Sequence, residues 1–83
     1  MPYIKQEARP VMDKVVDAMV KAGVVANGDL NYILYKFCKY HIYPSYNNFK
    51  NYCGELRQCV TEIERRLLGP HEDDASKRNG DIV

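Results

Sequence analysis

Apolar side chains recur at a regular interval between residues 46 and 67. Intervals of 3, 4, 3, 4, 3 and 4 residues separate Tyr46, Phe49, Cys53, Leu56, Val60, Ile63 and Leu67. This alternation is the a/d pattern of a heptad repeat, which lays one apolar stripe along a helix. Ser45 is a suitable N-cap, and the pair Gly69 and Pro70 is typical of a helix end. The spacing therefore predicts a long helix over residues 46–68.

Two shorter helices are predicted before it. Pro10 suits the first turn of a helix, and Gly23 can take the left-handed conformation that closes one, which predicts a helix over residues 10–22. In the segment "ANGDLNY", either Asn27 or Asp29 can act as an N-cap. Because Pro44 disfavours helical geometry at the residue before it, the second helix is predicted over residues 29–42.

The first helix has an unusually wide apolar surface. At 100° per residue its charged side chains fall within one arc of roughly 100°, and apolar residues fill the remainder. These apolar residues are Val11, Met12, Val15, Val16, Ala18, Met19, Val20 and Ala22. A helix of this kind is expected to be covered on two sides.

The fold class predicted from these patterns is all-α: a helical hairpin plus a third helix, forming a small three-helix bundle. A chain of 83 residues buries only a small part of its surface. The third helix is predicted to be roughly 35 Å long and the first two about 20 Å each, so they can cover only part of it. The seam formed by Val60, Ile63 and Leu67 therefore needs the first helix, a second chain, or both. We expect a homodimer, with a helical domain over residues 1–69 and an extended polar C-terminal tail over residues 70–83.

The cellular location is predicted from what the sequence lacks. The segment "MPYIKQEARP" has no apolar run of the length that a signal peptide requires, and no stretch approaches ~20 consecutive apolar residues. Three cysteines are an odd number, which favours reduced thiols. These observations predict a cytoplasmic protein that has no membrane partner.

Cys38, His41 and Cys53 are candidate metal ligands. Cys38 and His41 lie three residues apart on one helical face, and Cys53 follows on the next helix. A closed zinc site needs a fourth ligand, and His71 lies eighteen residues beyond Cys53. The alternative is that Cys38 and Cys53 are small buried core residues and His41 favours the helix C-terminus by its partial charge. We expect no metal and no cofactor.

An enzymatic role finds little support. A cysteine nucleophile requires a histidine within hydrogen-bond reach in an exposed setting, whereas Cys38 and His41 are both predicted on the apolar face. The sequence has no glycine-rich phosphate loop and no paired carboxylates on rigid elements. We expect the protein not to be an enzyme.

Tyr32, Tyr35, Lys36 and Lys39 form a second candidate surface, on the outer face of the second helix. Single-strand nucleic-acid binders combine aromatic rings that stack on bases with cations that meet phosphates. Against that interpretation, the patch has no arginine and few lysines. The same residues suit a protein interface or a solvated helix surface.

The segments "GDLNY" and "CGELRQCVTEIERRLLGPHEDDASKRNGDIV", with "MPYI" at the start, resemble a family of short uncharacterised prokaryotic and phage proteins classed as a domain of unknown function. The similar positions cover roughly half the chain: Gly28, Asn31, Tyr32, Gly54, Leu56, Glu62, Arg65, Arg66, Pro70, Glu72, Asp73, Asn79, Gly80 and Asp81. The resemblance implies no activity, cofactor or catalytic residue. It implies that the polar tail is a recurring part of the family.

The function predicted from the sequence is a non-enzymatic helical module for protein–protein interaction or oligomerisation. The alternative is a small nucleic-acid-binding protein that uses the tyrosine and lysine side chains of the second helix.

Overall fold

The computed structural model describes residues 4–80 and 82, and this part of the chain contains helices and no strand. A short 3-10 turn, Gln6–Ala8, precedes four α-helices. Their bounds are α1, Arg9–Lys21; α2, Gly28–His41; α3, Tyr46–Ile63; and α4, Gly69–Asn79, with a π-helical segment, Glu64–Leu68, between the last two. The all-α fold class is confirmed. Asp81 and Val83, which the sequence analysis placed in the tail, lie outside the described residues.

Helix α1 begins and ends at the residues that the sequence indicates. Pro10 lies in its first turn, where the missing N–H costs no helical hydrogen bond. At its end, Gly23 has φ of 73°, in the left-handed region that glycine adopts without steric cost. The Gly23 N–H donates to the carbonyl of Val20, and the Val24 N–H donates to the carbonyl of Met19. These two bonds form a Schellman motif, which satisfies carbonyls that the helix leaves unpaired.

Helix α2 is bounded by side-chain chemistry at its start and by proline at its end. The Asn27 side chain accepts a hydrogen bond from the Asp29 N–H at 2.9 Å, so Asn27 is the N-cap. The Asp29 carboxylate in turn accepts a bond from the Val25 N–H at 3.4 Å. The helix ends at His41, and Ile42 is already extended, two residues before Pro44.

Ser45 caps α3 as predicted. Its hydroxyl oxygen accepts a hydrogen bond from the Asn48 N–H at 3.1 Å, and its carbonyl accepts one from the Phe49 N–H. The Asn48 side chain also donates to the carbonyl of Tyr43 at 3.0 Å, which ties the turn to the first residues of the helix. The start of the heptad stripe is therefore held by three local hydrogen bonds.

The prediction that Gly69 and Pro70 end the long helix is wrong, and so is the expectation of an extended tail for residues 70–79. The chain passes through the π-helical segment, in which the Gly69 N–H donates to the Glu64 carbonyl, and continues as α4. A proline inside a regular α-helix removes one hydrogen bond and clashes with the carbonyl four residues earlier. The wider π turn accommodates this, and Pro70 becomes a first-turn residue of α4.

The chain divides into two compact units, Met1–Phe49 and Lys50–Val83. No residue of the described ranges is fully buried in either unit. In the first unit the half-buried apolar residues are Met19, Val24, Leu30, Ile33, Leu34, Cys38 and Ile42. In the second unit Tyr52 and Leu56 are half-buried. The division into a helical domain over 1–69 and a tail over 70–83 stays a prediction.

Candidate self-association surface

The C-terminal part of the heptad stripe is open to solvent. Val60 and Ile63 lie three residues apart on one face of α3, and they retain 54% and 47% of their accessible surface. Leu67, in the π-helical segment, retains 61%. One turn earlier, Leu56 is half-buried. Three large apolar side chains therefore remain accessible at the positions where the spacing predicted a seam.

The π-helical segment adds a residue to this surface that the sequence analysis missed. In π geometry the chain turns less per residue than in an α-helix, so a residue five positions further on is rotated less far from the starting face. Leu68 is therefore closer to the face of Ile63 than regular α-helical geometry would place it, and it is 47% exposed. The α-helical period rotates Leu68 away from the stripe, so only knowledge of the π turn could have included it.

One border of the surface is held by ion pairs. The Glu62 carboxylate accepts bonds from the Arg65 guanidinium at 3.0 Å and from the Arg66 Nε at 2.8 Å. In the pair four residues apart the glutamate precedes the arginine, which is the favourable order for a helical ion pair. Both arginines are largely solvent-exposed, so each pair contributes at most about 1 kcal/mol.

Helix α1 carries a second exposed apolar surface, in the first unit. Its exposed large residues are Val11, Met12, Val15, Val16 and Val20. Met19, on the same helix, is half-buried. The breadth of this surface agrees with the wide apolar arc seen in the sequence.

The tyrosine and lysine side chains of α2 are exposed, but one lysine already contacts its own helix. The Lys36 ammonium donates to the Tyr32 hydroxyl at 3.0 Å and lies 5.2 Å from the centre of that ring. The Lys39 ammonium lies 5.6 Å from the ring centre of Tyr40 instead. Tyr35 is 70% exposed. The structure thus brings Tyr32 and Lys36 together within one turn and leaves the Tyr35 ring accessible.

The cysteines do not occupy the buried positions proposed for them. Cys38 is half-buried, whereas Cys53 and Cys59 are exposed. The His41 ring lies 5.8 Å from the Phe37 ring, centre to centre, with the planes tilted by 32°. Within residues 4–80 and 82, no group of three or more metal-ligating side chains is found. The interpretation of Cys53 as a buried core thiol is therefore wrong.

Helix α4 is polar and has an open depression on one side. Its lining residues are His71, Asp74, Lys77 and Arg78, and the Arg78 Nε donates to the Asp74 carbonyl at 3.4 Å. Glu72 lies in the first turn, and Lys77 and Arg78 lie in the last, which suits the helix dipole at both ends. In the part of the chain that the structure describes, no helix is long and apolar enough to cross a membrane.

These features define a class: a small all-α protein with an exposed apolar face on its longest helix. The chain belongs to the family "Domain of unknown function (DUF6899)", whose model matches residues 1–82. The match extends over nearly the whole chain, further than the half on which the sequence resemblance was based. No curated protein and no solved structure matches the chain.

Proposed function

We propose that this protein is a non-enzymatic self-association module, and that the partner of its exposed face is a second copy of the same chain. The observation that supports the proposal is the accessibility of Val60, Ile63 and Leu67, which follow one another at heptad spacing. Apolar faces of this kind are stabilised when another surface removes them from water. A cytoplasmic location and a prokaryotic or phage origin are part of the same proposal.

A second copy is the partner that the residue pattern favours. Heptad spacing allows side chains of one helix to insert between those of an identical helix. Two-fold pairing of identical chains is also the commonest form of protein association. An apolar surface with heptad spacing is complementary to the same surface on a second copy of the chain, so no other kind of partner is needed.

The energies indicate how large the contact must be. Fully burying a Val, Leu or Ile side chain contributes about 1.5–3 kcal/mol, and roughly half of each of these surfaces is still available to bury. Six such side chains from two copies would contribute about 5–9 kcal/mol, whereas association costs at least about 4 kcal/mol. These three residues alone would give a weak dimer, so the contact must extend toward Leu56 and Cys53.

The experiment is a substitution on the face with a matched control on the opposite side. We expect Ile63→Glu to abolish association, because a carboxylate in the contact would have to lose its hydration. Gln58→Glu introduces the same charge about 140° away around α3 and should leave association unchanged. Sedimentation equilibrium measures both variants. Equal association of Ile63→Glu and the unmodified chain would overturn the proposal.

Nucleic-acid binding by Tyr32, Tyr35, Lys36 and Lys39 is the second candidate function. The exposed ring of Tyr35 favours it, since an accessible ring can stack on a base. The contact between Lys36 and Tyr32 argues against nucleic-acid binding, because the Lys36 ammonium must break its contact with Tyr32 before it can bind a phosphate. Self-association is therefore the proposal that the contacts favour.

A further inference from the structure

The charges along one edge of the apolar face differ between its two ends. With Val60 and Leu67 at a positions, and Leu56 and Ile63 at d positions, the e positions of α3 are Lys50, Arg57 and Glu64. The edge is therefore basic in its N-terminal half and acidic at its C-terminal end. The other edge carries Tyr52, Cys59 and Arg66 at the g positions.

The ion pairs found among residues 4–80 and 82 do not involve this edge. Among the described residues, the ion pairs join Glu62 to Arg65 and Arg66, so the Arg66 guanidinium already has a carboxylate partner on its own chain. Lys50 and Glu64 take no part in those pairs and are exposed. Residues 50–63 are α-helical throughout and Glu64 follows directly, so the heptad positions hold from Lys50 to Glu64, whereas Leu67 lies within the π-helical segment.

We propose that two copies pair antiparallel along α3, with Lys50 of each chain against Glu64 of the partner subunit. This inference rests on the proposed self-association and specifies its geometry. In an antiparallel pair, a positions meet d positions and e positions meet e positions. Leu56 then packs on Val60 of the partner subunit, and Cys53 packs on Ile63 of the partner subunit. The ion pair between Lys50 and Glu64 of the partner subunit is formed twice, because the arrangement has two-fold symmetry.

A parallel pair offers no such charge complement. There the e positions face g positions five residues earlier on the other chain. Lys50, Arg57 and Glu64 would then lie against Ser45, Tyr52 and Cys59 of the partner subunit, none of which is charged. The distribution of charge therefore selects the antiparallel orientation.

The extent of the apolar contact selects the register. Sliding the helices by seven residues would pair Arg57 with Glu64 of the partner subunit, but it would place Cys53 against Pro70 of the partner subunit. The apolar overlap would shrink to the segment 56–67. With Lys50 opposite Glu64, the overlap runs over residues 49–67. Arg57 then lies at the two-fold axis against its own copy, where the two like charges repel.

The first test exchanges the charges. We expect Lys50→Glu and Glu64→Lys each to weaken self-association, because every ion pair becomes a repulsion. An equal mixture of the two variants should form a mixed dimer at least about tenfold tighter than either variant alone, because each of its two pairs again joins a basic and an acidic side chain. Native mass spectrometry distinguishes the mixed species. A mixture that associates no better than its components would overturn the antiparallel pairing.

Arg57→Gln separates the two registers. It should tighten association when Arg57 faces its own copy, and weaken it when Arg57 faces Glu64 of the partner subunit. A weakened dimer would overturn the proposed register.

The second test reads orientation from cysteine cross-linking. In a Cys38→Ser/Cys59→Ser background, a parallel pair would place Cys53 against its own copy and form a covalent dimer on oxidation. The antiparallel pair predicts no covalent dimer from Cys53 alone, and a covalent dimer once Ile63→Cys is added opposite it. Cross-linking through Cys53 alone, or none after Ile63→Cys, would overturn the orientation.

The experiments distinguish failure of the antiparallel arrangement from failure of self-association itself. If the unmodified chain is monomeric at all concentrations, the proposed function is wrong. If it dimerises while charge exchange and cross-linking give the contrary results, only the antiparallel arrangement is wrong.

Discussion

The Gly69 N–H donates a hydrogen bond to the carbonyl oxygen of Glu64, five residues earlier. This bond closes the π turn through which the chain continues from α3 into α4. A methyl group added at Gly69 would lie 3.1 Å from that same oxygen. Gly69 has an ordinary helical φ of −55°, so the close approach of the Glu64 carbonyl, and not backbone flexibility, is what favours glycine here.

We expect Gly69→Ala to lower the melting temperature. Alanine in place of glycine ordinarily stabilises a helix interior by about 1 kcal/mol, but here the new carbon presses on a backbone oxygen that cannot move aside freely. Gly54→Ala is the matched control, because nothing lies within 4 Å of the added carbon and α3 should be stabilised. Thermal unfolding followed by circular dichroism compares them. Equal stabilisation by both substitutions would contradict the close contact.

Asn27→Ala is expected to destabilise the protein by about 1 kcal/mol, because the Asp29 N–H loses its acceptor. Asn27→Asp keeps an oxygen at the same place and should cost little. Urea unfolding of the three chains measures the difference. An alanine variant as stable as the unmodified protein would show that the cap contributes nothing.

Glu62→Gln removes both ion pairs with Arg65 and Arg66. The free energy of unfolding should fall by less than about 1 kcal/mol, because the arginines are exposed. This decrease should become smaller as added salt screens the charges. The measurement is the free energy of unfolding at low and at high ionic strength. A large decrease in the free energy of unfolding that added salt does not reduce would contradict the description of these contacts as weak surface ion pairs.

The unmodified protein should not retard single-stranded DNA or RNA in a gel at ~50 mM salt, where phosphate contacts are strongest. A retarded band that disappears in the variant Lys36→Glu/Lys39→Glu would instead favour the nucleic-acid function. The variant Lys14→Glu/Lys21→Glu, on α1, makes the same charge change away from that surface and serves as the control.

Most of the correct predictions from the sequence depend on interactions between residues close together in the chain. Ser45 and Gly23 act through a hydrogen bond or a dihedral angle within a few residues of themselves, so a sequence pattern suffices to recognise them. The same holds for the pair of Glu62 and Arg66, which one helical turn brings together. The sequence narrows the cap of α2 only to Asn27 or Asp29, and the structure shows that it is Asn27.

The pair Gly69 and Pro70 shows where this reasoning failed. Glycine followed by proline is typical of a helix end, yet proline is equally suited to the first turn of a new helix. Whether Gly69 and Pro70 end a helix or begin a new one depends on the conformation of the backbone before them, here a π turn. No residue pattern in the sequence predicts that turn. The acid in the first turn and the bases in the last turn of α4 were visible signals of a polar helix.

Burial was the other property that the sequence could not supply. Periodicity assigns a residue to a face of its helix, but it does not say whether anything covers that face. Cys53 lies on the apolar stripe as predicted and is nevertheless exposed. The surface at Val60 and Ile63 could likewise be located from spacing, whereas its accessibility required the structure.

The central claim is that two copies of this chain associate through α3. Sedimentation equilibrium of the unmodified protein over a wide concentration range tests it most directly. We predict a mass that rises with concentration to twice that of one chain. A mass equal to that of a single chain at every concentration would contradict the account.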